Sequence, residues 1–321
     1  MGIESGTLSR RGFVKASAIG VGGAAMAGMF GCSSNDSSKG ESKGSETAQT
    51  MKEEWSFKDQ ADNDVTVSIP VERMVVLQHH SLDMLAQLGA QDKVAGIESK
   101  WKSDLGDYMT DVFPGIEDLP TPGGLSEWNV EQIADLKPDV VIAASQAPED
   151  AMQQVRDLGI PVVVVSLRGE GKQEEAQNPR LADADAAYTE GCEWAIETLG
   201  KLTGTDEKAA DIWQACIESR DIVDKAIGSV ADDERIRVFV ACPDSKTYGN
   251  DKYVGCQLLR AGAVNVAAQD IQGYKPYTIE MLANWNPDVI IDQDRYPEVY
   301  QTITTDASYS ELSAVKSGKV I

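Results

Sequence analysis

Short β-branched runs alternate with amphipathic stretches along most of the chain. RMVVLQ (73–78), KVAGI (93–97), DVVIAA (139–144) and PVVVVSL (161–167) are almost uninterrupted apolar runs. Runs of this kind predict parallel strands covered on both faces. Between them, SLDMLAQLGA (81–90), VEQIADL (130–136) and AMQQVRDLG (151–159) carry apolar residues at helical spacing. Gly89 and Gly159 are helix-stop signals at the ends of two of these stretches. Alternating strands and helices predict an α/β lobe over residues 52–180.

The pattern then changes. From about Arg180 to Gly228 there is no strand signal. Two long helical stretches, ADADAAYTEGCEWAIETLGKLTG and DEKAADIWQACIESRDIVDKAI, are divided at Thr203-Gly204-Thr205. Alternation resumes after Arg235 with RIRVFVAC, YVGCQLLRAGA, TIEMLANW and DVIID, which predicts a second lobe within 205–321. One phrase is written in both lobes. NVEQIADLKPDVVIAA (129–144) aligns with TIEMLANWNPDVIIDQ (278–293), matching Glu131 to Glu280 and Pro138-Asp139-Val140 to Pro287-Asp288-Val289. Each copy reads as a polar N-cap (Asn129 or Thr278), a short helix with Glu in its first turn, a Pro-Asp break and a buried strand.

The N-terminus does not follow this pattern. Arg10-Arg11 followed by Phe13 and Lys15 resembles a twin-arginine export signal, and Ala16–Gly31 reads as its apolar segment. Met29-Phe30-Gly31-Cys32 resembles a lipoprotein cleavage site, so residues 1–31 are expected to be a signal peptide and Cys32 a lipidated residue anchoring the chain to a membrane. Residues 32–51 are rich in Ser, Gly and charge and read as a flexible tether.

The formal net charge of −23 argues against a nucleic-acid partner, which needs clustered cations. It suits either a soluble acidic surface or a basic protein partner. Cys192, Cys216, Cys242 and Cys256 permit disulfides in an exported chain but equally suit buried free thiols. The chain contains no G-x-S-x-G, HExxH, P-loop or GxGxxG motif, so nothing in it points to an enzyme.

PVERMVVLQHHSLDMLAQLGAQDKVAGI, NVEQIADLKPDVVIAA, LLRAGAVNVAAQD, YTIEMLANWNPDVII and LSAVKSGKVI occur in that order. Together they resemble the iron-complex and cobalamin class of ABC-transporter substrate-binding proteins, over nearly all of 55–321. The resemblance implies two Rossmann-like α/β lobes with parallel sheets, joined by a single long α-helix, here 181–204, with a ligand cleft between the lobes. It also implies an ABC permease dimer, with its ATPase, as partner, and places Glu131 and Glu280 as the carboxylates that dock on permease arginines. The physical alternative for each glutamate is a simple offset of the helix dipole. The resembled family continues into a final helix where this chain reaches Val320-Ile321, so an incomplete C-terminus is expected.

In parallel sheets ligands sit beyond the carboxyl ends of the strands. The loops there are 78–83, 144–150, 166–172, 242–253 and 292–300. They hold both histidines of the chain, His79 and His80, one of which is expected to face the cleft. They also hold Arg168, Lys172, Lys246 and Arg295, cations that suit an anionic ligand. Tyr248, Tyr253 and Tyr296 could stack on a macrocycle, or His79 and Tyr248 could ligate haem iron. The leading expectation is capture of a metal chelate: a ferric siderophore, haem or cobalamin. The alternative is a molybdate or tungstate oxyanion in the same fold. Direct capture of zinc or manganese has less support with only two histidines, and an exported enzyme ranks lowest.

Overall fold

The computed structural model describes residues 52–169, 181–293 and 296–321. The expected export signal, Cys32 with the expected tether, Lys172 and Arg295 lie outside the described residues. An antiparallel hairpin, β1 (Glu53–Lys58) and β2 (Asp64–Ile69), opens the N-terminal lobe. Its main sheet contains β3 (Met74–Leu77), β4 (Val94–Ile97), β5 (Val140–Ala144) and β6 (Val162–Val165). These pair in the order β4-β3-β5-β6, all parallel. The helices of this lobe are α1 (His79–Leu88), α2 (Trp101–Leu105), α3 (Met109–Val112), α4 (Val130–Asp135) and α5 (Glu149–Asp157).

The uninterrupted apolar runs have a direct cause. Met74, Val76, Ile142 and Val163 pack on one face of the sheet with Leu82 and Leu85 of α1. Val75, Leu77, Val141 and Val164 pack on the other with Ile133 of α4 and Met152 of α5. Successive strand residues point to opposite faces, and both faces are covered, so no position along these strands admits a polar side chain. Each such aliphatic side chain contributes roughly 1.5–3 kcal/mol by leaving water.

Two helices follow: α6 (Ala184–Thr203) and α7 (Asp206–Ile227). Gly204, with φ of 72°, makes the turn between them, a left-handed conformation that suits glycine. Ala195, Ile196, Leu199 and Leu202 fix α6 to the N-terminal core, and Ala209 of α7 joins the same cluster. The other ends of both helices meet the C-terminal lobe. Arg260 of α8 (Tyr253–Arg260) donates from Nε to Asp185 of α6 at 2.7 Å and from Nη1 to Asp224 of α7 at 3.0 Å. The helix α6 falls within 181–204, the span that the sequence reading gives to the interlobe helix, and α7 packs beside it.

The C-terminal lobe has a smaller parallel sheet, β11-β7-β9, from β7 (Arg237–Val240), β9 (Val264–Asn265) and β11 (Val289–Ile291). Val320 extends it through a parallel bridge to Ile290. β8 (Lys246–Tyr248) and β10 (Tyr274–Pro276) form an antiparallel ribbon. The helices after α8 are α9 (Ile279–Trp285), α10 (Pro297–Thr305) and α11 (Ser313–Lys316). The sequence repeat is also a repeat of hydrogen bonds. Asn129 caps α4 by accepting from Gln132 N at 3.0 Å, and Thr278 caps α9 by accepting from Met281 N at 3.2 Å. Asp139 accepts from Arg73 N at 3.1 Å, and Asp288 from Arg237 N at 3.1 Å. In both lobes the side chain of that arginine donates to the carbonyl of the last helical turn, Leu136 or Trp285.

Candidate functional site

The first wall of the site is set by the start of α1. Gln78 is extended, and its side chain accepts from Ser81 N. The helix therefore begins at His79, two residues before the start expected from the sequence. His79 and His80 occupy its first turn instead of a loop, and both line the central cavity, with their rings 4.2 Å apart. This corrects the expectation that only one of them faces the cleft: residues on one helical turn can share a side of the helix, whereas neighbours on a strand cannot. The N-terminal end of α1 also carries the positive end of the helix dipole.

The second wall is the loop after β6. Gln60 accepts from Ser166 N at 2.8 Å and Leu167 N at 2.9 Å, and donates to Gly191 O at 2.9 Å. A Cβ at Gly191 would stand 2.1 Å from Arg168 N, so only glycine lets this loop lie against α6. The clamp holds Arg168 in the cavity wall with 5% of its surface exposed. Ser145 and Gln146, after β5, add to the wall from the N-terminal lobe, as do Met84 of α1 and Leu125.

The cavity occupies about 630 Å³, and helices supply the rest of its wall. Asp185, Tyr188 and Cys192 face it from α6; Trp213, Cys216 and Arg220 from α7; Tyr253, Cys256 and Arg260 from α8. The spacings of three and four residues mark one face of each helix. They carry a sequence signal that a search confined to loops after strands does not register. All four described cysteines are free. Burial pushes the Cys192 and Cys256 thiols up to about 11, so both remain thiols at neutral pH.

Charge is distributed unevenly around the cavity. Lys252 adjoins the wall at Tyr253, and its ammonium is held below the usual lysine range, first by burial and then by the positive charge of Arg168. These two cations come from different lobes, and sequence reasoning singled out only Arg168. Burial raises Tyr188 to about 12, against the opposing pull of Arg168. Behind His79 lies an acidic pair. Glu98 is fully buried, accepts from Lys100 N at 2.9 and 3.0 Å, and is raised to about 7 by burial, with Asp104 adding to the rise.

The C-terminal loops expected to face the ligand are arranged differently. Tyr248 stacks on Tyr274 across the β8–β10 ribbon at 4.8 Å and is absent from the cavity wall. Lys246 pairs with Asp244 at 3.6 Å and lies over the Tyr274 ring. Tyr296 precedes α10, donates its N–H to Gln293 O at 2.7 Å, and is also absent from the wall. This part of the lobe pairs with itself across strands, which removes Tyr248 from the position the loop reading gave it. Glu131 and Glu280 are exposed in the first turns of α4 and α9. Hydrogen bonds from its own N–H and from Thr278 hold the Glu280 carboxyl below the usual range.

Two lobes around a cavity at the carboxyl ends of parallel strands place a ligand where such sheets bind one. The family model described as "Periplasmic binding protein" matches residues 74–321, and the chain belongs to that family. It is similar to the molybdate-binding protein MolA of Haemophilus influenzae, with 38% identity over 82% of this chain and 75% of that protein. The solved structure of MolA bound to molybdate superposes with a TM-score of 0.77 over 83% of this chain and 82% of that one. A cobalamin-binding protein of Halobacterium salinarum is 26% identical over 73% of this chain and 57% of that protein. The haem-binding protein BhuT, solved with two haems, shares the fold at 18% identity and a TM-score of 0.62, over 78% of this chain and 88% of that one. Among the described residues, no helix is long and apolar enough to cross a membrane.

Proposed function

We propose that this chain captures a tetrahedral oxyanion, molybdate or tungstate, outside the cytoplasm and presents it to an ABC importer. The carrying observation is the buried Arg168 in the cavity wall of a strongly acidic chain. A guanidinium there suits an anionic ligand, because its planar fork can donate to an oxyanion edge. The likeness to MolA at 38% identity supports the same ligand class. Export by the twin-arginine segment, lipidation at Cys32 and docking through Glu131 and Glu280 belong to this proposal. In it the protein works by binding and release, with no covalent step.

One observation favours the second reading, a metal chelate. A cavity of about 630 Å³ with Met84, Leu125 and Trp213 in its walls exceeds the needs of a single tetrahedral anion and falls in the range of cofactor-sized ligands. Titration calorimetry on the full chain with molybdate, tungstate, sulfate, haemin and cobalamin separates the two. Binding of molybdate or tungstate, weakened at least ~30-fold in Arg168→Ala, is the expected result, since truncating one member of a buried charged contact costs about 2–5 kcal/mol. Binding of haemin or cobalamin with no heat from either oxyanion would overturn the oxyanion reading.

A further inference from the structure

His79, Glu98 and Asp104 come from three separate elements: the start of α1, the residue after β4, and α2. One ligand atom from each lies within 4.8 Å of the other two, and His79 Nδ1 stands 3.8 Å from Asp104 Oδ2. The position is enclosed. Glu98 is fully buried, and the side chains of His79 and Asp104 are only 13% and 19% exposed. It is also fixed in place. The Glu98 carboxylate is held by Lys100 N, its backbone bridges to Gly123, and its carbonyl accepts from Trp101 N at the start of α2. An exposed acidic patch has none of these features.

We infer that His79, Glu98 and Asp104 form a binding site for a divalent transition-metal cation, of the zinc class, behind the cavity wall at His79. Two carboxylates brought together away from water repel one another, and a cation placed between them removes both that repulsion and the cost of their burial. One imidazole nitrogen with two carboxylates is a donor set suited to zinc or manganese, and zinc sites often leave a fourth position to a water or substrate oxygen. Of the three, His79 also lines the cavity, so the site adjoins the ligand chamber. The three free cysteines in the wall belong to other helices and are not part of the trio. This inference does not depend on which ligand the protein transports. A cation here would place positive charge beside the first turn of α1 whether the cargo is an oxyanion or a chelate.

The test uses Zn²⁺ itself on the full chain, after treatment with a chelator. The chain holds only two histidines, so its imidazole NMR signals resolve the site directly. One equivalent of Zn²⁺ should shift the His79 ring signals strongly and the His80 signals less. Ca²⁺, which prefers oxygen ligands, should leave both rings unmoved while it occupies surface carboxylates. Glu98→Gln and Asp104→Asn should each weaken Zn²⁺ binding by at least ~10-fold, the lower end of losses seen even for partners outside the ligand set. Asp104 is partly exposed, so its variant keeps the test valid if the buried Glu98→Gln protein fails to fold. Zn²⁺ that leaves the His79 ring unmoved would overturn the inference. So would undiminished affinity in Asp104→Asn, which would assign the metal to the cysteines or the surface and leave the trio as a hydrogen-bonded network alone.

Discussion

The two lobes share one backbone step and differ in nearly everything that faces the ligand. In the N-terminal lobe every residue of β3, β5 and β6 is buried, and the three loops after these strands all reach the cavity. In the C-terminal lobe the strands are no longer than four residues and partly exposed, and the tyrosines after β7 stack within their own ribbon. That lobe reaches the cavity through α8 instead. What repeats is the cap, the first-turn glutamate, the Pro-Asp break and the arginine that ties the helix end to the start of the neighbouring strand. In the docking role proposed for Glu131 and Glu280, a partner that meets both lobes would require these features to match. The inner face meets a single small ligand and has no need for symmetry.

The largest expected effect tests the division between outer and inner faces. Glu131→Arg with Glu280→Arg should abolish uptake in cells and leave ligand affinity in solution unchanged. A loss of affinity in the purified double variant would mean that the two faces are not separate. A second test compares two helix glycines. A Cβ at Gly191 would meet Arg168 N at 2.1 Å, and one at Gly255 would meet Gly249 O at 2.2 Å. Each substitution to alanine should cost roughly 1–3 kcal/mol of stability through overpacking. Gly191→Ala should also lower oxyanion affinity strongly through buried Arg168, and Gly255→Ala more weakly through Lys252, whose N–H bonds to Gly249 O. Unchanged affinity in Gly191→Ala would remove Arg168 from the ligand site.

The caps provide a smaller and symmetric effect. Asn129→Ala and Thr278→Ala should each destabilise their lobe by about 1 kcal/mol in denaturant unfolding. A markedly larger loss in one would show that the repeat is not energetically equivalent. The smallest effect concerns pH. Lys252 is shifted below the usual lysine value, so it loses its proton, and with it its attraction for an anion, at a lower pH than an exposed lysine. Oxyanion affinity should therefore fall a few-fold on the alkaline side. Lys252→Arg, which keeps its charge, should hold the affinity flat over the same range. Parallel decline in both proteins would remove Lys252 from the site.

The parts legible in the sequence are those where one physical rule acts alone. Continuous β-branched runs mean strands buried on both faces, and all four expected strands of the N-terminal sheet are present. The Pro-Asp echo means a helix stop before a strand, and both copies fold that way. The start of α1 was misplaced because Gln78 is not a common capping residue, and its cap depends on a side-chain bond to Ser81 N. Tyr248 was misplaced because its pairing with Tyr274 is a cross-strand contact between distant residues, with no local signature. The helical walls were overlooked for another reason. Asp185, Tyr188 and Cys192 share a face with obvious spacing, but that face reads equally well as packing until the opposing helices are in place.

A single guanidinium, Arg260, ties α8 to both α6 and α7. A joint pinned in this way resists wide swings of one lobe against the other. The distance between the two exposed glutamates is then expected to be much the same with and without cargo. A transporter that gauges this distance would accept empty carriers as readily as full ones. Delivery would follow the fraction of carriers that are loaded, and surplus empty protein would act as a competitive inhibitor of its own pathway.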